Sequence, residues 1–159
     1  MNESQVPEQV ASYRQIRWTG MEILARREHS HRELQQKLTL RYPDSMTLIE
    51  QVIEDLKHEL LQSDERYTEA YVVMRKRKGY GPQRLQQELK EKGVEQSLVL
   101  DELCKPEHDW FEQAKDVLRK KFKEPARDMK ERAKQIRFLQ YRGFAHDQIQ
   151  EAMKFETSI

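Results

Sequence analysis

The sequence predicts an all-α protein made of tandem repeats of three-helix modules, elongated and curved. Three observations lead there. Sustained alternation of β-branched residues is absent, and 5 Gly with 5 Pro in 159 residues leave little hairpin chemistry. Apolar residues recur three or four apart along most of the chain. Three segments also align over thirteen positions: RREHSHRELQQKL (Arg26 to Leu38), RKGYGPQRLQQEL (Arg77 to Leu89) and YRGFAHDQIQEAM (Tyr141 to Met153). In that alignment Leu34, Leu85 and Ile149 correspond, as do Leu38, Leu89 and Met153. The expected division is residues 1–62 for an N-terminal helix and first module, 63–105 for a central module, and 106–159 for a C-terminal one.

The elements follow in order. Val10, Tyr13, Ile16, Arg17, Met21 and Leu24 describe one face of a helix from about Pro7 to His29. Ser30 is an N-cap with Glu33 as its capping-box partner, opening a short helix that carries Leu34 and Leu38. Pro43, Asp44 and Ser45 break the pattern, after which Leu48, Ile49, Val52, Ile53, Leu56 and Leu60 form an apolar stripe, with a helix expected from about Met46 to Glu59. The next starts at Ser63 or Asp64, with Tyr67, Ala70, Tyr71 and Met74 on one face, and ends at Gly79. Gly81 punctuates and Pro82 suits the first turn of a helix bearing Leu85 and Leu89. A short helix near Gln96 to Leu103 follows. Pro106 is expected to open a helix with Trp110, Ala114, Val117, Leu118 and Phe122, and Pro125 one with Met129, Ala133, Ile136 and Leu139, closed by Gly143. A last short helix holds Ile149, Ala152 and Met153.

Charge is plentiful and unevenly placed. Charged residues make up 36% of the chain and the net charge is only +1. Residues 1–65 hold 8 Lys/Arg against 12 Asp/Glu, however, and residues 66–159 hold 21 against 16. An acidic front and a basic back suit a molecule that meets protein on one surface and nucleic acid on another. A single cysteine, Cys104, excludes an intramolecular disulfide and a cysteine metal cluster. No apolar run approaches the roughly 18 residues of a membrane span, and MNESQVPEQV lacks the regions of a secretion signal, so a cytoplasmic protein is expected.

Catalytic motifs fail on inspection. Gly79-Tyr80-Gly81 has neither the preceding strand nor the Gly-Lys-Ser/Thr ending of a phosphate loop, and a helix-to-helix turn explains its glycines. His29-Ser30-His31 straddles a helix cap and has no further ligands to complete a metal site. Cys104 is expected as a small buried or half-buried hydrophobe, and Trp18 and Trp110 as core residues. No cofactor, metal or catalytic residue is expected. The basic segments are harder to dismiss: Arg75, Lys76, Arg77, Lys78 and Arg84 fall within ten residues that hold no acid. Arg119 to Arg142 carries ten cations against Glu124, Asp128 and Glu131. They lie in corresponding parts of successive modules, so Arg75, Arg77, Lys78, Arg84, Arg119, Lys120, Lys121, Lys123 and Arg142 are the candidate stripe for phosphates or an acidic protein groove.

LARREHSHRELQQKL (Leu24 to Leu38), SDERYTEAYVVMRKRKGYGPQRLQQELKEKGV (Ser63 to Val94) and LQYRGFAHDQI (Leu139 to Ile149) resemble, in order and spacing, the most recognisable stretches of the RecX regulatory proteins of bacterial recombination. The resemblance implies tandem three-helix repeats and no catalysis. It further implies binding to the RecA filament on single-stranded DNA, with suppression of strand exchange, ATP hydrolysis and coprotease activity, and so a role in DNA repair and the SOS response. On this reading a monomer lies along the filament groove and turns its basic stripe toward the DNA, with no membrane involved. The alternative is a tandem helix-turn-helix-like regulator binding DNA directly, and an enzyme ranks third. Two departures from the family stand out. Glu59 and Leu60 occupy the place where a glycine often closes the first module's second helix, and the chain ends soon after Met153.

Overall fold

The fold is described by a computed structural model, which covers residues 10–154. Those residues contain helices and no strands. Their contacts gather into two compact units, Met1–Tyr67 and Thr68–Ile159.

In the first unit, α1 (Tyr13–Arg26), α2 (His31–Arg41) and α3 (Met46–His58) pack pairwise. Ser12 caps α1 and forms a capping box with Gln15, so the helix begins at Tyr13; the expected start at Pro7 lies outside the described residues. Ser30 and Glu33 form the anticipated box at α2. Ile16, Leu34, Leu38, Ile49, Val52, Ile53 and Leu56 make the core, each at most 1% exposed. Removing such side chains from water contributes about 1.5–3 kcal/mol apiece. Trp18 does not join them. Contrary to expectation it is 65% exposed, its indole N–H donating to Glu22 one turn on along the same helix.

The connection from α3 to α4 (Asp64–Arg77) is made without glycine, because Leu60 itself takes φ +61°. The N–H groups of Leu61 and Gln62 then both donate to the Leu56 carbonyl, satisfying the end of α3. Buried Gln62 reaches back to the His29 carbonyl, and Asp64 accepts from the His31 N–H, so this turn is tied to the break between α1 and α2.

In the second unit, α5 (Pro82–Glu91) packs on α6 (Gln96–Leu103), and α7 (Trp110–Lys121), α8 (Met129–Arg142) and α9 (His146–Ala152) pack on one another. Three expectations are corrected here. Helices α7 and α8 open at the side-chain caps Asp109 and Asp128 rather than at Pro106 and Pro125, since a carboxylate satisfies a first-turn N–H and proline cannot. Helix α4 buries Tyr67 as expected but also Thr68 and Val72, and leaves Ala70 and Met74 in solvent. Cys104 is exposed. Trp110 is buried as anticipated, donating its indole N–H to the Leu103 carbonyl. No described helix is long and apolar enough to cross a membrane.

Candidate partner-binding surface

Three helix C-termini converge in the second unit, and each ends in cations: Arg75, Lys76 and Arg77 on α4, Arg119, Lys120 and Lys121 on α7, and Arg142 on α8. Cations are favoured there because the last turn of a helix carries partial negative charge, an effect of about 0.3–1 kcal/mol each at the surface. The terminal carbonyls are capped across helices. Gln113 Nε2 donates to the Lys76 carbonyl at 2.6 Å and Arg142 Nη1 to the Lys78 carbonyl at 2.9 Å. Arg84 Nη1 donates to the Tyr141 carbonyl at 3.1 Å.

The turn after α4 and the turn after α8, equivalent in the repeat alignment, touch directly. The Gly81 N–H donates to the Arg142 carbonyl at 2.7 Å and the Gln83 N–H to the Gly143 carbonyl at 2.9 Å. A Cβ on Gly81 would lie 2.6 Å from the Gly143 oxygen, and one on Gly143, which also sits at φ +92°, 2.2 Å from Arg84 Cβ. Glycine at both places is therefore a condition of close approach. As the sequence suggests, the glycines of Gly79-Tyr80-Gly81 serve a turn of helix against helix.

Tyr80 lies at the centre of a guanidinium cluster, with Arg75, Arg84 and Arg142 at 3.9, 4.4 and 5.0 Å from its ring centroid. Glu88 neutralises part of this charge, accepting from Arg75 at 2.6 and 3.0 Å, from Arg84 at 3.0 Å and from the Tyr71 hydroxyl. Burial works against the Glu88 carboxylate, yet hydrogen bonds from Arg75, Tyr71 and Arg84 outweigh it and hold its pKa below the ordinary value. The guanidinium groups of Arg75 and Arg84 thus serve the interior contacts of the unit.

The other candidates separate by position. Arg77, Lys78, Lys120, Lys121 and Arg142 line one open cleft of about 460 Å³, together with Lys76. Val117 and Phe138 supply its apolar part, and Asp116 is the sole acid on its walls among the described residues. Arg119 and Lys123 are exposed nearby in sequence and do not line it. Phe138 and Gln113 were missed by sequence reasoning. Their part depends on which turns of α7 and α8 meet α4, for which a one-dimensional pattern has no signal. The geometry offers four flexible ammonium groups and two guanidinium groups beside an apolar strip, suited to a polyanion. A neighbouring group, Glu102, Glu107 and His108, brings three ligand-type atoms within 4.8 Å. Cations already occupy it: Lys105 Nζ is 2.5 Å from Glu102, and Lys76 Nζ is 3.3 Å from His108 Nδ1.

Comparison with known proteins bears on most of the chain. The family model for the second three-helix domain of RecX matches residues 63–101, and that for the third matches residues 107–153. Regulatory protein RecX of Vibrio campbellii is 42% identical over 138 residues, covering 86% of this chain and 88% of that protein. The Pseudomonas fluorescens protein of the same name is 45% identical over 137 residues, covering 84% and 86%. The crystal structure of RecX from Lactobacillus salivarius superposes with a TM-score of 0.73 at 20% identity, over 89% of this chain and 94% of that one, a likeness of fold.

Proposed function

The chain belongs to the RecX family of regulatory proteins, and from that premise we propose that it binds a RecA recombinase filament on single-stranded DNA. Bound there, it restrains strand exchange, ATP hydrolysis and coprotease action without a reaction of its own. A cytoplasmic site of action, a monomeric state, and a division of labour among residues 1–62, 63–105 and 106–159 go with this reading.

The observation that carries it is the basic cleft. Lys76, Arg77, Lys78, Lys120, Lys121 and Arg142 exceed its one acid, Asp116, by five charges, far more than capping three helix ends requires. A surface of that kind attracts phosphates and acidic protein groups alike. Inhibition then rests on occupied area, since a cleft with no paired acid and base has nothing to offer catalysis.

The test is a variant in which Arg77, Lys78, Lys120 and Lys121, all exposed, become Gln. Helicity and melting should stay close to the parent, because exposed charges contribute little to stability. Inhibition of strand exchange should fall. The salt dependence of binding should flatten by roughly 0.7 in log–log slope for each lost single-strand phosphate contact. A folded variant that inhibits as well as the parent at every salt concentration would place the functional surface elsewhere.

A further inference from the structure

Helix α5 divides its surface three ways. Leu85 and Leu89 are fully buried, and Arg84 and Glu88 are engaged at the Tyr80 cluster. The remainder, Gln83, Gln86, Gln87 and Lys90, fall at i, i+3, i+4 and i+7, which is one continuous helix face. That face is one wall of a second cleft, of about 470 Å³, whose other lining residues are Val94, Val99 and Gln96 at the start of α6. The volume is within the roughly 300–1,000 Å³ of small-ligand sites.

The lining is chemically distinct from the basic cleft. It comprises four primary amides, one ammonium, two buried valines and no acid. Gln87 makes a 3.4 Å contact to Glu91. The amides of Gln83, Gln86 and Gln96 make no side-chain hydrogen bond among the described residues. Each amide offers one acceptor oxygen and two donor hydrogens in a plane. That set matches the edge of a nucleobase, and Gln in particular pairs with the N6 and N7 positions of adenine. A base in a single strand can be splayed out and enter a cleft whole, whereas in a duplex only its groove edges can be reached. The valines form an apolar floor for a ring, and Lys90 is placed to meet the attached phosphate.

We infer that the α5–α6 cleft holds one unstacked base of single-stranded DNA, adenine in preference, by amide contacts from Gln83, Gln86, Gln87 and Gln96. The inference rests on the proposal that this unit meets the single strand, and it adds a base-reading site to a unit whose basic cleft can read no base. An acidic peptide would find one cation there and gain little from four amides, which is why a nucleobase is the occupant chosen.

The experiment uses the full chain, low salt, no recombinase, and fluorescently labelled strands of equal length: oligo(dA), oligo(dT) and an abasic strand. The parent should bind oligo(dA) about five-fold or more tighter than the abasic strand, the lower end expected of one bidentate amide contact, with oligo(dT) between them. The Gln86→Ala/Gln87→Ala variant, whose changes lie on an outer helix face and favour helix, should bring the oligo(dA)-to-abasic ratio near one. It should leave the salt slope unchanged, because no phosphate contact is removed. Equal parental affinity for base-bearing and abasic strands overturns the inference, as does a ratio that survives in the variant or a parent that binds no single strand at all. With no recombinase present, these outcomes are read independently of filament binding.

Discussion

Leu60 is a leucine in a place made for glycine. A non-glycine residue in the left-handed region costs roughly 1–2 kcal/mol, and Leu60, 71% exposed, recovers little of it by packing. Leu60→Gly should therefore stabilise the chain by up to about 1 kcal/mol, after the roughly 0.5–1 kcal/mol that glycine's unfolded-state freedom costs. Urea unfolding would show the gain, and a clear loss would mean that the side chain holds the turn in some other way. His29 carries the second residue-scale prediction. It is 1% exposed, its Nδ1 faces the Arg27 carbonyl at 3.0 Å and its Nε2 lies 2.7 Å from Lys37 Nζ. Burial lowers its pKa from the ordinary value, the Arg27 carbonyl opposing in part. The unfolded chain takes up a proton near about pH 6.5 that the folded site resists. Stability should thus be complete above that pH and decline as pH falls through it toward the lower folded pKa. Unfolding midpoints at about pH 7.5 and about pH 5.5 should differ more in the parent than in His29→Gln, and equal differences would contradict this account. Of such details, the Ser30 cap was plain in the sequence. The fate of the two tryptophans was not: both sit near apolar helical faces, and only the packing of neighbouring helices buries Trp110 and leaves Trp18 outside.

Helices show most clearly what periodicity can and cannot deliver. The start of α2, the break between α2 and α3, the end of α4 and the start of α5 follow closely from Ser30, Pro43, Gly79 and Pro82, because each marks a local backbone condition. Helices α7 and α8 start later than Pro106 and Pro125 suggest, since Asp109 and Asp128 outbid proline as caps. On α4 the apolar stripe was misjudged. Tyr71, Val72 and Val73 are consecutive, so two faces fit the spacing, and contact with the rest of the unit selects the one through Val72. The repeat alignment makes its own prediction at this scale. Leu34, Leu85 and Ile149 are 0%, 0% and 2% exposed, each on the short helix that follows a tight break. Changing any one to Ala should cost about 2–5 kcal/mol in an unfolding titration, and a negligible cost at all three would remove the equivalence among them.

At the scale of the whole molecule, the sequence carried the all-α repeat and the uneven charge, both of them properties that survive in one dimension. It could not carry the sorting of the nine candidate cations. Arg77, Lys78, Lys120 and Lys121 line a cleft, Arg75 and Arg84 grip Tyr80 and Glu88, Arg142 serves both the cleft and Tyr80, and Arg119 and Lys123 do neither. That sorting depends on the direct contact between the turns at Gly81 and Gly143, 62 residues apart in the numbering. The central claim is that the chain acts on a nucleoprotein filament rather than on DNA as such. The most direct measurement is the affinity of the full chain for a preformed RecA filament compared with the same single strand without protein, at one matched salt concentration. The account predicts binding to the filament at least about ten-fold tighter, a difference of about 1.4 kcal/mol, with inhibition of strand exchange over the same concentration range. Equal or tighter binding to the naked strand would contradict it and favour a direct DNA-binding regulator.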